Sequence, residues 1–216
     1  QNQIYSIPAA EAEESQGSSS AIGNQNVVKG EQANAIGDGN DAYGHFTQSV
    51  GDNNKVYADH SLGYGAHNKV GAQRVIGTPE KDVVVDKNTN KASVFGLNNE
   101  VVGKNVFVAG NDNKITDTST SNATVIGFSA TASSANATAI GTAASALANE
   151  TVAIGQAAKA SGQNSNAYGS QANASGTSSL AVGTGSVASG DSAVAIGNDS
   201  TVTGGSAVAI GASATS

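Results

Sequence analysis

Apolar residues and glycines recur along this chain at a fixed spacing. A tripeptide of a small residue, a large apolar residue and Gly ends at seven positions with a constant 14-residue period: Gly127, Gly141, Gly155, Gly169, Gly183, Gly197 and Gly211. Upstream it ends at seven more, and the steps from one to the next are 14, 14, 14, 12, 19 and 14: Gly23, Gly37, Gly51, Gly65, Gly77, Gly96 and Gly110. A register kept over so many copies predicts a repeat architecture.

Each repeat predicts two short strands and two turns. The small and the large residue of the tripeptide are adjacent, as in Ala139 and Ile140. Adjacent residues of a strand point to opposite faces, so one face carries a column of Ala and the other a column of Ile. A second Gly often follows the first after seven residues and marks the second turn. We therefore predict an all-β solenoid in which one column packs inside the chain and the other against neighbours. The pattern leaves open whether the Ala column or the Ile column packs inside the chain.

The two halves of the chain differ at the third position after the anchor Gly. Before Gly127 this position is Asn, at Asn26, Asn40, Asn54, Asn68, Asn99 and Asn113. Stacked coils place such amides above one another, where they satisfy each other's hydrogen bonds. We interpret the column as a structural ladder rather than a binding site. After Gly127 the column is Ala or Ser, which predicts tighter packing.

Three segments depart from the repeat. Residues 78–91 contain Pro79 and read as a hairpin or loop added to one coil, and residues 116–122 read as a smaller polar insertion. Residues 1–19 match no repeat and are predicted to be a leader or cap, followed by a β-roll head over 20–216. The chain ends inside a repeat, so we expect a piece of a longer protein whose membrane anchor lies outside it.

Composition and motifs argue against several functions. The net charge of −7 disfavours nucleic-acid binding, and the absence of Cys excludes disulfides and thiolate metal sites. His45, His60 and His67 fit no zinc motif and are predicted to be exposed turn residues. The stretch from Gly37 to Tyr43 resembles a calcium-binding nonapeptide but occurs once, whereas a calcium ladder needs it to recur. We expect no enzyme, no cofactor and no metal.

Lysines provide the candidate ligand-binding residues. Three of them share the position four residues after the anchor Gly, and three more lie in the nearby insertion: Lys55, Lys69 and Lys114, then Lys81, Lys87 and Lys91. Stacking would align the first three in rows on one face, where Asp41 and Glu100 take the same position in other coils. One hypothesis is a basic surface for a host ligand. The alternative, which we favour, is a solvated face that keeps strand edges from aggregating.

The repeat itself is recognisable. The strings SNATVIG, ANATAIG, NETVAIG, DSAVAIG and GSAVAIG resemble the head repeat of YadA-like trimeric autotransporter adhesins, and the resemblance covers about Ser20 to Ser216. It implies a left-handed parallel β-roll in which three chains form one head. The Asn-bearing coils and the insertion are similar to heads of the Moraxella ubiquitous surface protein group. No neck motif of the family follows Gly211.

The resemblance also implies a function. It places the chain on the outer membrane of a Gram-negative bacterium, as an adhesin head that binds host cells or matrix proteins such as fibronectin, laminin or collagen. A structural spacer that presents a separate binding tip is the alternative. An ice-binding solenoid is disfavoured because Thr124, Thr138 and Thr151 do not continue as a row, and the 14-residue period disfavours a hexapeptide-repeat acyltransferase.

Overall fold

Every element of the described chain is a β-strand. The structure, a computed structural model, describes residues 2–4, 18–71, 74–75, 83–84 and 86–216, with the backbone alone at 74–75, 83–84 and 86–89. The chain divides into two compact units, Gln1–Val108 and Ala109–Ser216. The strands that begin in the first unit are β1 Gln3–Ile4, β2 Ser20–Asn24, β3 Val27–Val28, β4 Asn34–Asp38, β5 Asp41–Ala42, β6 Gln48–Asp52, β7 Lys55–Val56, β8 Ala58–Asp59, β9 Leu62–Ala66, β10 Lys69–Val70, β11 Arg74–Val75, β12 Val83–Val84, β13 Asp86–Asn90, β14 Ser93–Leu97, β15 Glu100–Val101 and β16 Phe107–Asn111. Those of the second unit are β17 Lys114–Ile115, β18 Thr124–Phe128, β19 Thr131–Ala132, β20 Thr138–Ile140, β21 Ser145–Ala146, β22 Val152–Ile154, β23 Lys159–Ala160, β24 Asn166–Tyr168, β25 Asn173–Ala174, β26 Leu180–Val182, β27 Val187–Ala188, β28 Val194–Ile196, β29 Thr201–Val202 and β30 Val208–Ile210.

Within each unit the repeats build two parallel sheets. The anchor sheet contains the tripeptide strands, which are β2, β4, β6, β9, β14 and β16, then β18, β20, β22, β24, β26, β28 and β30. The second sheet contains β1, β3, β5, β7, β10 and β15, then β17, β19, β21, β23, β25, β27 and β29. Equivalent residues of successive repeats are direct partners, as Ala139 is of Ala153 and Ile140 of Ile154. The chain therefore adds one strand to each sheet per repeat, which confirms the predicted parallel β-roll.

The small residue of each tripeptide faces the core. Ala139, Ala153 and Ala167 are fully buried, whereas Ile126 and Ile154 keep 38% and 36% of their surface exposed. The second sheet contributes the opposing layer, with fully buried residues five positions after the anchor Gly: Val28, Ala42, Val56, Val70, Val101, Ile115, Ala132, Ala146, Ala160, Ala174, Ala188 and Val202. The core is thus a thin layer of Ala and Val between two sheets, and the large column points outward.

Two left-handed residues per repeat turn the chain. In one coil of the second unit they are Asn136 and Ala143, both with φ near 56°. The turn backbone also forms hydrogen bonds between successive coils, since Ala143 N–H donates to Phe128 O at 2.8 Å. The anchor Gly also has a positive φ, as in Gly141 with φ of 130°. At the second Gly, the next coil leaves no room for a side chain, because a Cβ on Gly162 would lie 2.0 Å from the carbonyl oxygen of Gly176.

The Asn column of the first unit is a hydrogen-bonded ladder, as predicted. Nδ2 of Asn54 donates to Oδ1 of Asn40 at 3.2 Å, and Nδ2 of Asn68 donates to Oδ1 of Asn54 at 2.9 Å. Asn2 supplies an additional rung, because its Oδ1 accepts from the backbone N–H of Asn26 at 3.2 Å. After Gly127, Ala or Ser replaces Asn and the backbone closes the turn, with Ala158 N–H donating to Gly155 O at 3.3 Å.

The irregular segments leave the two sheets uninterrupted within the first unit. Strand β9 pairs directly with β14 although Gly65 and Gly96 are far apart in sequence. Between them, β11 pairs antiparallel with β12, and β13 pairs parallel with β8. Residues 78–82 and 85 of the predicted insertion lie outside the described residues, as do 1 and 5–17 of the predicted leader or cap. In the predicted insertion at 116–122, Asp117 accepts hydrogen bonds from the backbone and hydroxyl of Ser119.

Candidate interaction surfaces

A column of large apolar residues lies on the outward side of the anchor sheet in both units, beside polar residues such as Gln48, Thr138 and Asn166. The column contains the large residue of each tripeptide: Ile22, Ile36, Val50, Tyr64 and Phe95 in the first unit, and Ile126, Ile140, Ile154, Tyr168, Val182, Ile196 and Ile210 in the second. We call this side the apolar face. Ile22 is 58% exposed and Ile210 is 69% exposed. Side chains of this size on one sheet face form a surface that monomeric proteins seldom leave uncovered.

Three aromatic rings lie close together on the outward side of the anchor sheet in the first unit. The ring centroids of Tyr64 and Phe95 lie 5.5 Å apart in a stacked arrangement, and those of Phe95 and Phe107 lie 5.8 Å apart. The hydroxyl of Tyr64 donates to Oε1 of Gln48 at 2.6 Å, which fixes the orientation of its ring. We call Tyr64, Phe95 and Phe107 the aromatic cluster. Sequence analysis missed it because the three residues occupy two different positions of the repeat.

The predicted lysine row lies on the outward side of the second sheet. Lys55 and Lys69 are direct strand partners, as stacking predicted. Asp41 precedes Lys55 in the row, and Glu100 follows Lys69. Nζ of Lys69 lies 3.2 Å from Oε1 of Glu100, with both side chains about half exposed. The row therefore has two adjacent lysines with an acidic residue on either side, so the positive charges are partly neutralised.

The other predicted lysines lie elsewhere. Lys114 takes the same repeat position in the second unit, where it is the strand partner of Thr131. Lys91 is exposed at a left-handed turn between β13 and β14, with φ of 54°. Lys87 lies in β13, for which only the backbone is described, and Lys81 lies outside the described residues. Among the described side chains, the structure thus places only Lys55 and Lys69 together.

A tyrosine pair borders the lysine row. The rings of Tyr43 and Tyr57 are 5.2 Å apart, and Nζ of Lys29 lies 5.0 Å above the Tyr43 ring. The hydroxyl of Tyr57 donates to Oδ2 of Asp41 at 3.4 Å. Burial raises the pKa of Asp41, although Lys55 opposes this shift. Burial also raises the pKa of the Tyr57 hydroxyl, and the charge of Asp41 adds to that effect, so Tyr57 stays neutral at physiological pH.

The three histidines occupy turns. His60 and His67 have left-handed φ values of 53° and 56°. His60 stacks on Phe46 with centroids 4.9 Å apart, while Nδ1 of His45 accepts from the backbone N–H of Glu31 at 3.3 Å. In the described part of the chain, no group of three His, Cys, Asp or Glu side chains is arranged to hold a metal ion. The described part of the chain also contains no helix that is long and apolar enough to cross a membrane.

The repeats of the second unit match a known family. The model of the YadA head domain repeat matches residues 121–144, 146–172, 160–186, 174–200 and 188–214. A comparison with curated proteins found no match to the chain. The matched repeats are those in which buried Ala and outward Ile alternate most regularly. The match concerns the repeat and identifies no subgroup, so the similarity to Moraxella heads stays a prediction.

Proposed function

Because the chain carries a YadA-like head domain between residues 121 and 214, we propose that it is the head of a trimeric autotransporter adhesin, which attaches a bacterium to host cells or to their extracellular matrix. The family is one of adhesins and not of enzymes. Membership of this family implies an extracellular head that is anchored in the outer membrane. For this chain we propose that location, with fibronectin, laminin or collagen as the class of ligand.

The observation that carries the proposal is the apolar face of the matched repeats. Ile126, Ile154 and Tyr168 each keep more than a third of their surface exposed on the outward side of the anchor sheet. Covering such side chains stabilises an assembly by about 25 cal/mol for each Å² of apolar surface removed from water. Apart from Val27 and Val187, the second sheet carries polar and charged residues at its outward positions and suits solvent or a host ligand. Three copies that meet through their apolar faces satisfy both requirements.

The assembly is tested by the mass of the purified chain. Sedimentation equilibrium is expected to give three times the chain mass of 21.1 kDa. The trimer should then bind at least one immobilised matrix protein saturably, and should confer attachment when displayed on a non-adherent bacterium. A folded chain that stays monomeric would remove the trimer from the proposal. A trimer that attaches to no matrix protein or cell would leave a spacer role instead.

The predicted lysine surface is the proposed contact with the host ligand. We expect the variant K55E/K69E/K87E/K91E to weaken matrix binding by about tenfold, since reversing charges at an interface rim replaces attraction by repulsion. Binding of the unaltered protein should weaken with added salt for the same reason. Solid-phase binding at two salt concentrations provides the measurement.

A single charge reversal in the second unit tests whether the position of the lysine matters. Lys159 is exposed and takes the same repeat position as Lys55, but it lies in the second unit. The variant K159E should therefore bind like the unaltered protein. Equal binding by the quadruple variant would refute the lysine surface and leave the adhesin proposal standing on other residues.

A further inference from the structure

We infer that Phe46 and the carboxylates beside it form a site for a basic side chain, an arginine or a lysine, of the host protein to which the head attaches. Phe46 lies in the turn between β5 and β6, outside both the apolar face and the lysine row. The inference rests on the proposed adhesin function and names one contact of its ligand. It does not depend on the lysine surface or on how copies of the chain associate.

Phe46 departs from what its turn requires. It has a left-handed φ of 55°, a conformation that bulky residues rarely adopt and Asn adopts more readily. In the other described coils the left-handed residue of the turn before the anchor strand is polar or charged, and most often Asn: Asn105, Asn122, Asn136 and Asn164. The fold therefore does not need a phenylalanine here. A strained residue that the fold does not need points to a function.

The Phe46 ring is exposed and is held in place before any partner binds. It keeps 47% of its surface exposed, and it stacks on His60 of the next coil with centroids 4.9 Å apart and planes 17° apart. An aromatic ring fixed in this way loses little conformational entropy on binding. Large, rigid side chains of this kind are the usual anchors of protein interfaces.

Carboxylates stand on both sides of this turn. The backbone N–H of Phe46 donates to the carbonyl oxygen of Glu31 on the preceding coil at 2.9 Å. On the following coil, Oδ1 of Asp59 accepts from the backbone N–H of His45 at 2.8 Å. The Glu31 side chain is 39% exposed. A carboxylate next to an exposed ring suits a basic side chain, which the ring attracts by a cation–π contact and the carboxylate by a charge-assisted hydrogen bond.

The lysines near this turn lie at its borders. Nζ of Lys29 lies 5.0 Å above the ring of Tyr43, and Lys91 follows His60 one coil further on, where its backbone N–H donates to Asp59 O at 3.1 Å. The net charge of the whole chain is −7. The charges beside Phe46 and those of the chain as a whole therefore both favour a basic group, and an arginine fits best because its planar guanidinium can stack on a ring and pair with a carboxylate at once.

The inference is tested first with the residue that other coils use. F46N should keep the mass of the assembly and unfold at the same or a higher urea concentration, because Asn suits the left-handed turn. Its dissociation constant for the immobilised fibronectin, laminin or collagen that the unaltered protein binds should rise at least about thirtyfold. E31Q/D59N keeps the hydrogen-bond acceptors and should weaken the same binding about tenfold. Unchanged binding by either variant would overturn the inference.

A matched variant controls for the loss of an exposed phenylalanine. Phe128 is 51% exposed and lies in the second unit, at the end of β18. F128N should therefore bind the matrix protein within about twofold of the unaltered chain. A loss in F128N equal to that in F46N would overturn the inference, because any exposed ring would then serve.

The partner's chemistry is tested on the matrix protein itself. Blocking its arginines with phenylglyoxal and its lysines by acetylation should weaken the binding of the unaltered chain to the level of F46N, and should not weaken F46N further. A contact made by the lysine surface alone would not weaken, since the partner's carboxylates remain. Undiminished binding to the blocked protein would overturn the inference alone. A folded trimer that binds no matrix protein at all would overturn the proposed function and, with it, the inference.

Discussion

Replacing Asn54 by Leu is expected to lower the free energy of unfolding by about 4 kcal/mol or more. The Asn54 amide is fully buried and makes five hydrogen bonds. Its Nδ2 donates to Oδ1 of Asn40 and to the carbonyl oxygens of Val50 and Gly65, and its Oδ1 accepts from both nitrogens of Asn68. Leucine deprives the fully buried amides of Asn40 and Asn68 of these bonds, and each unsatisfied group costs about 1–3 kcal/mol. Urea-induced unfolding followed by circular dichroism measures the loss.

Asn198 offers a control for the same substitution. Its side chain is exposed, and its amide contacts only the neighbouring carboxylate of Asp199, at 2.6 Å. N198L should change the free energy of unfolding by less than about 0.5 kcal/mol, as most surface substitutions do. A comparable loss in both variants would show that leucine is poorly tolerated wherever it stands, and the ladder would then lose its assigned role.

Replacing Gly155 by Ala is expected to destabilise the second unit by about 4 kcal/mol. Gly155 has a φ of +136°, which residues with a Cβ rarely adopt. The added Cβ would also lie 2.3 Å from the carbonyl oxygen of Gly169 on the next coil. That oxygen belongs to the stacked backbone, so it cannot move without disturbing the inter-strand hydrogen bonds. The midpoint of urea unfolding should fall accordingly.

Gly205 provides the matched glycine. It lies outside the left-handed region, and a Cβ there would meet its nearest atom, the carbonyl oxygen of Asp191, at an ordinary 3.7 Å. G205A should therefore be neutral or stabilise the fold by a few tenths of a kcal/mol, because alanine restricts the unfolded chain more than glycine does. If G155A unfolded at the same urea concentration as G205A, the close stacking of the coils would be wrong.

The sequence predicts the fold because each residue pairs with its own equivalent in the next repeat. The 14-residue period is thus also the strand register, as in the pairing of Ala139 with Ala153. The Asn ladder was predictable for the same reason, since Asn40 and Asn54 occupy equivalent positions. Which of the two apolar columns faces inward was not predictable, because Ala and Ile are both apolar. The narrow space between the sheets decides in favour of the smaller side chain.

The candidate surfaces were harder to predict where the repeat is interrupted. Tyr64 and Phe95 are strand partners, but the predicted insertion separates them in sequence. The same insertion separates Lys69 from Glu100, so the carboxylate that pairs with this lysine is not apparent from the order of the residues. Phe107 lies one residue before its tripeptide, Val108-Ala109-Gly110, so the tripeptide pattern does not include it. Only the three-dimensional register places these residues side by side.

Pairing between equivalent residues also bears on how such a chain changes over generations. In the second unit the string Ser-Ala-Val-Ala-Ile-Gly occurs at 192–197 and again at 206–211, one repeat apart. Unequal recombination between DNA segments that encode such strings adds or removes a whole repeat. Since Val194 pairs with Val208 and Ile196 with Ile210, the strands brought together by the loss of one repeat present the same residues to each other. Gene length can therefore vary in steps of one coil, without a new core having to evolve.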